Sequence, residues 1–273
     1  MKLKLSNIPV RPDKPRNSGL TVIQDVGLSL RSIEDFISIS GHLIDFVRFS
    51  PGSLCSGEDL TKRVDTYMHA GISPFLSGIM FEAAYIRKRT KEYMDFLKKN
   101  HFEYIEVSDG IIEIPPLEKA EFIKKASKSI NVLSRIGARS KKVLFPRDKW
   151  QEYILAELEA GSQKIIVEGG EAGTSKLISG EIEIKEYLVN HILNYLSIDD
   201  IIWEAPHQEQ RIWFINKFGA NVNLADIHPE DLLNLESQRL GINRETFLNN
   251  IPDSLIEGKL RQIDPMADFD YQM

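Results

Sequence analysis

The chain of 273 residues carries 34 lysines and arginines against 40 aspartates and glutamates, a formal charge of −6, with 42% hydrophobic and 27% charged residues. That balance is ordinary for a soluble globular fold, and the acidic excess argues against a nucleic-acid partner, whose phosphates call for a basic surface. No apolar run approaches the roughly 20 residues of a membrane span, and the lone cysteine, Cys55, precludes an intramolecular disulfide, so a cytoplasmic setting is expected.

Taken in order, a proline-rich lead-in without the apolar core of a signal peptide precedes an alternating strand, Leu20 to Asp25, stopped by Gly27. Arg31 to Ser40 has helical spacing, Ile44 to Phe49 reads as a second strand, and Glu58 to His69 as its helix. A weaker strand, Ile72 to Leu76, leads into one long helix from Phe81 to Lys99. Tyr104 to Val107 is the fourth strand, stopped by Ser108-Asp109-Gly110, and Leu117 to Ser129 is amphipathic. Asn131 to Ile136 and the helix Arg147 to Glu159 follow, the latter ended by Gly161. The stretch KIIVEGGEAG, Lys164 to Gly173, is a buried β-branched strand that breaks into Glu168, Gly169 and Gly170. Its helix is Glu183 to Leu196. Asp200 to Ala205, the helix Gln208 to Phe218, and a strand Ala220 to Leu224 come next. His228-Pro229-Glu230 then opens a last helix, with proline in the first turn.

Strand-then-helix units recurring roughly every 25 to 40 residues predict a single (β/α)8 barrel. The domain takes in residues 1–273, with a core of about 19–247, a short N-terminal extension and a loose C-terminal tail. Chemistry in such a barrel gathers where the strands end. Strand alternation expects Asp25, Arg48, Glu106 with Ser108, Glu168, Glu204 and Asn223 to point into the mouth. The carboxylates Glu106, Asp109, Glu168 and Glu204 would suit a hard cation such as Mg²⁺, or two of them would pair with Arg48 and Arg135 in a buried ionic network. Arg48, Arg135, Arg139, Lys141 and Lys142 supply positive charge, and arginine forks suit phosphate and carboxylate. Together these point to a small anionic, phosphorylated substrate.

Seven segments in order from Lys14 to Phe247, among them YIEVSDG, IIVEGGEAG, IIWEAPHQEQ and FGANVNLADI, resemble the phosphosulfolactate synthase family. The resemblance implies a (β/α)8 barrel, a homo-oligomer, and a Mg²⁺-dependent lyase that adds sulfite to the methylene carbon of phosphoenolpyruvate. The product, phosphosulfolactate, serves sulfolactate or coenzyme M synthesis. On this reading Glu106, Glu168 and Glu204 are expected around the metal, with Arg48, Arg135, Ser108, Gly169, Gly170 and Asn223 on the substrate. Catalytic roles fall to Glu168, Arg139 and Lys141. Where the family has lysine or arginine, this chain has Val26, Arg48, Arg139 and Gly170. Arginine is a poor general acid because it hardly deprotonates, so Lys141 or Lys142 would have to deliver the proton. Two further readings stand beside this one: a barrel enzyme with another nucleophile or phosphorylated acid, and a non-catalytic stress-associated relative.

Overall fold

A computed structural model describes residues 4–57, 59–137, 150–167, 189–190, 192–194 and 196–259. The strands are β1 (Thr21–Asp25), β2 (Phe46–Phe49), β3 (Ser73–Leu76), β4 (Tyr104–Val107), β5 (Asn131–Ile136), β6 (Ser162–Val167), β7 (Ile201–Glu204) and β8 (Leu224–Ile227). All pair in parallel, in the order β3-β2-β1-β8-β7-β6-β5-β4. The ladder therefore ends at β3 and β4, and these two strands pack side by side to complete a near-closed barrel. Parallel strands need crossovers, and helices supply them: α1 (Leu30–Ser40), α2 (Leu60–His69), α3 (Gly78–Ile86), α4 (Thr90–Lys99), α5 (Pro116–Ala126), α6 (Trp150–Glu159), α7 (Gln208–Phe218) and α8 (Leu232–Arg239). Among the described residues no helix is long and apolar enough to cross a membrane.

Local chemistry sets several boundaries. Ser29 and Asp59 cap α1 and α2 by accepting the N–H of Ser32 and Lys62, and α7 ends at Gly219, whose φ of +85° few other residues would adopt. The expected long helix from Phe81 to Lys99 is two helices. The chain turns at Arg87 to Arg89, where Lys88 takes a φ of 56°, so periodicity alone had joined two amphipathic stretches across a corner.

The core has two layers. Val22, Phe75, Leu133, Ile166, Ile202 and Ala225 fill the barrel, and Phe46 and Tyr104 pack against them, the two rings meeting each other edge to face at 5.1 Å between centres. A second, larger layer lies between strands and helices. This division fixes which way each strand's side chains point. On β1, Val22 faces inward, so Gln24 does too, while Asp25 faces the helices.

The last strand departs most from expectation. It runs Leu224–Ile227 rather than Ala220 to Leu224, and it is bulged. Thr21 pairs with Leu224 and Ile23 with Ile227, so one extra residue sits in β8. Asp226 carries the strain of that bulge, at a φ of 62°.

Candidate active site

Arginines on β2 and β5 meet carboxylates from β4, β7 and β8 at the C-terminal end of the barrel. Arg48 Nε lies 2.9 Å from Glu106 Oε2, and its Nη1 donates to Glu204 Oε1 at 2.9 Å and also to Asp226. Arg135 Nη2 donates to the other oxygen of Glu204 at 2.6 Å, with its Nε 3.9 Å from Glu106 Oε1. Gln24 donates to Asp226 at 2.8 Å. Both arginines are 2% exposed and Glu106 is fully buried.

Burial alone would drive the charge off Arg48, but Asp226, Glu106 and Glu204 outweigh it and hold its guanidinium above the usual arginine range. Among the described residues this network sets the carboxylates of Glu106, Glu204 and Asp226 against the guanidiniums of Arg48 and Arg135.

Arg48, Glu106 and Glu204 thus converge as alternation implied, and Arg135 joins them in the ionic network that was the second of the two arrangements open to the carboxylates. Among the described residues, no group of three or more histidines, cysteines or carboxylates is arranged to hold a metal ion. Ser108 also faces this end, but its hydroxyl donates to Glu82 Oε1 at 2.7 Å. Glu168, Gly169, Gly170, Arg139, Lys141 and Lys142 lie outside the described residues.

Two rim expectations are corrected by the structure. Asn223 precedes β8 rather than ending it, and so sits at the opposite, N-terminal end. Its Oδ1 accepts the N–H of Leu20 at 2.9 Å and its Nδ2 donates to the carbonyl of Ile201 at 3.0 Å, tying β1 to β7. Asp25 points outward, where Arg63 Nη2 and Tyr67 of α2 donate to it at 2.8 and 3.1 Å. Burial, then Asp25, push the Tyr67 hydroxyl up, so it stays a proton donor.

Asp226 and Gln24 were missed. Counting inward from Val22 finds Gln24, but only the bulge brings Asp226 to the interior. Lys119 of α5 was missed as well. Its Nζ donates to Asp109 Oδ1 and to the carbonyl of Arg135, both at 2.9 Å, and pairs with Glu157 of α6 at 2.8 Å. Burial would depress Lys119, but Glu157 and Asp109 outweigh it and raise it. Glu157 is itself raised, chiefly by burial.

The chain is similar to known proteins along most of its length. Residues 9–245 match the family described as (2R)-phospho-3-sulfolactate synthase. The chain is 34% identical over 243 residues to the phosphosulfolactate synthase of Bacillus subtilis, covering 88% of this chain and 96% of that one. It is equally identical over 246 residues to that of Methanothermobacter thermautotrophicus, at 34%, covering 88% and 95%. An Arabidopsis thaliana protein named HEAT-STRESS-ASSOCIATED 32 is 22% identical, over 88% of this chain and 93% of its own. Among solved structures, 3-hexulose-6-phosphate synthase from Salmonella typhimurium aligns with a TM-score of 0.51 at 13% identity, over 81% of this chain and 98% of that one. At this identity the likeness is one of fold.

Proposed function

The chain belongs to the (2R)-phospho-3-sulfolactate synthase family, and on that footing we propose that it is an enzyme that joins sulfite to phosphoenolpyruvate with Mg²⁺. The observation that carries the reading is the meeting of Arg48 and Arg135 with Glu106, Glu204 and Asp226 at the ends of separate strands. The all-oxygen donor set of Glu106, Glu204 and Asp226 suits a hard divalent cation in chemical type. Glu106 Oε2 is engaged by Arg48 at 2.9 Å, while its buried Oε1, 3.9 Å from Arg135 Nε, keeps a lone pair to offer. Glu106 and Glu204, with Glu168, would hold the ion. Bound there, it would supply an electrostatic sink for charge gathering on the substrate carboxylate.

The addition balances simply. The sulfur lone pair of sulfite forms a bond to the methylene carbon, the carbon–carbon π bond breaks, and a proton is delivered to the phosphate-bearing carbon. Arg135 and Arg48 orient the anionic groups, and the buried strand ends keep water from them. Lys141 is proposed as the proton source, since Arg139 holds its proton too tightly.

The test is incubation with phosphoenolpyruvate, sulfite and Mg²⁺, following loss of the enol absorbance and formation of phosphosulfolactate. Turnover abolished in Glu168→Gln and by chelation is expected. A second reading, a barrel that binds without turnover, is favoured by the guanidiniums of Arg48 and Arg135 being already engaged by carboxylates. Magnesium-dependent binding of phosphoenolpyruvate with no product would select it, and absence of both binding and product would reject both.

A further inference from the structure

Helix α3, which follows β3, reaches across to the end of β4 with a buried carboxylate. Glu82 is 3% exposed. Its Oε1 accepts the hydroxyl of Ser108 at 2.7 Å and the N–H of Gly110 at 3.2 Å, and its Oε2 accepts the N–H groups of Ile111 and Ile112 at 2.8 and 2.9 Å. Three successive amides aimed at one anion make a nest. With four neutral donors and, among the described residues, no ion pair, this charge is satisfied by dipoles, an arrangement a carboxylate fills and an amide side chain does not. A glutamine would set an NH₂ group against backbone N–H donors.

The same helix touches the active-site carboxylate almost directly. At Gly78, one turn before Glu82, an added Cβ would lie 2.4 Å from Ser108 Cβ and 2.9 Å from Glu106 Oε1. Glu106 stands two residues before Ser108 on the same inward face of β4. From the other side, Lys119 fixes Asp109 at 2.9 Å. The segment after β4 is therefore tied on both flanks, and the Glu82 tie is the one continuous with Glu106.

We propose that Glu82 is a positioning residue for the reaction. By filling the nest of Gly110, Ile111 and Ile112 it fixes the end of β4, and with it the direction in which Glu106 presents its carboxylate to Arg48 and Arg135. Glu82 does not touch substrate. The inference rests on the barrel mouth being the catalytic centre, as proposed above.

The test compares wild type, Glu82→Gln and Glu82→Asp by hydrogen exchange, read by mass spectrometry, and by steady-state kinetics with phosphoenolpyruvate, sulfite and Mg²⁺. In Glu82→Gln, exchange in peptides covering residues 110–112 rises tenfold or more while peptides from β7 and β8 stay as in wild type. There kcat falls tenfold or more with KM for phosphoenolpyruvate within threefold, and Glu82→Asp, which keeps the charge, recovers part of both. Wild-type kcat in Glu82→Gln, a change confined to KM, or exchange raised evenly through the barrel overturns the proposal. An inert wild-type chain overturns the reaction and with it any role in turnover. Exchange at residues 110–112 unchanged by Glu82→Gln overturns the tie itself, whatever the reaction.

Discussion

At the N-terminal end of the strands, basic side chains are engaged largely with the backbone. Arg239 donates to the carbonyls of Val222 at 2.7 Å and Leu20 at 3.3 Å, and to that of Ala220, while Arg16 Nη2 donates to the carbonyl of Leu43 at 3.0 Å besides pairing with Asp45. At the C-terminal end, Arg48 and Arg135 are engaged with carboxylates. The first arrangement satisfies neutral acceptors that water cannot reach and locks strand starts together. The second sets charge against charge in a buried place, which costs desolvation. One end of the barrel is closed by its arginines, and at the other they are held among carboxylates, where the reaction is proposed to take place.

The sharpest way to break this contrast is Arg48→Met. It leaves Glu106, Glu204 and Asp226 together without their shared cation, and stability should fall by roughly 3–5 kcal/mol in denaturant titration, with turnover lost. Arg239→Met strips donors from buried carbonyls and should cost roughly 2–3 kcal/mol, yet kcat measured below the melting range should stay within twofold. Loss of turnover there would dissolve the distinction between the ends. Gly78→Ala forces a methyl onto Ser108 and Glu106 and should cost about 1–3 kcal/mol by overpacking, with a fall in kcat exceeding that of Arg239→Met.

The smallest effect is one of pH. Glu157 has a folded carboxyl raised by burial, so its contribution is favourable below the ordinary value of 4.5 and is lost as pH climbs through the raised one. Lys119 is raised as well, so its contribution is full below 10.5 and is lost as pH rises through its folded value. Glu157→Gln should flatten the slope of stability above 4.5 and bring the alkaline loss to lower pH, since one of the acids holding Lys119 has gone.

Much of the barrel was legible because its strands are bounded by chemistry that sequence displays. Tyr104–Val107 and Asn131–Ile136 end where expected, and so does the helix Gln208–Phe218, closed by its glycine. Arg48, Glu106 and Glu204 were legible because alternation carries their strand ends to one rim, and Arg135 only as a cation suited to anions or carboxylates. Asn223 and Asp226 were not, because alternation gives the right face only when the strand's end and register are known, and an extra residue in β8 changes both. Glu82 and Lys119 left no trace in the sequence pattern. Each sits on a helix, and what it grips lies on a strand end or loop that only the assembled fold brings near.

The break in the ladder between β3 and β4 has a consequence for how the protein fails. A ring hydrogen-bonded all the way round exposes no strand edge, whereas here two edges face one another, held shut by side-chain packing and by the clasp from α3. On heating, that join should part first and present two unpaired edges to neighbouring molecules. The rate of aggregation, more than the melting midpoint, would then register any weakening of the clasp.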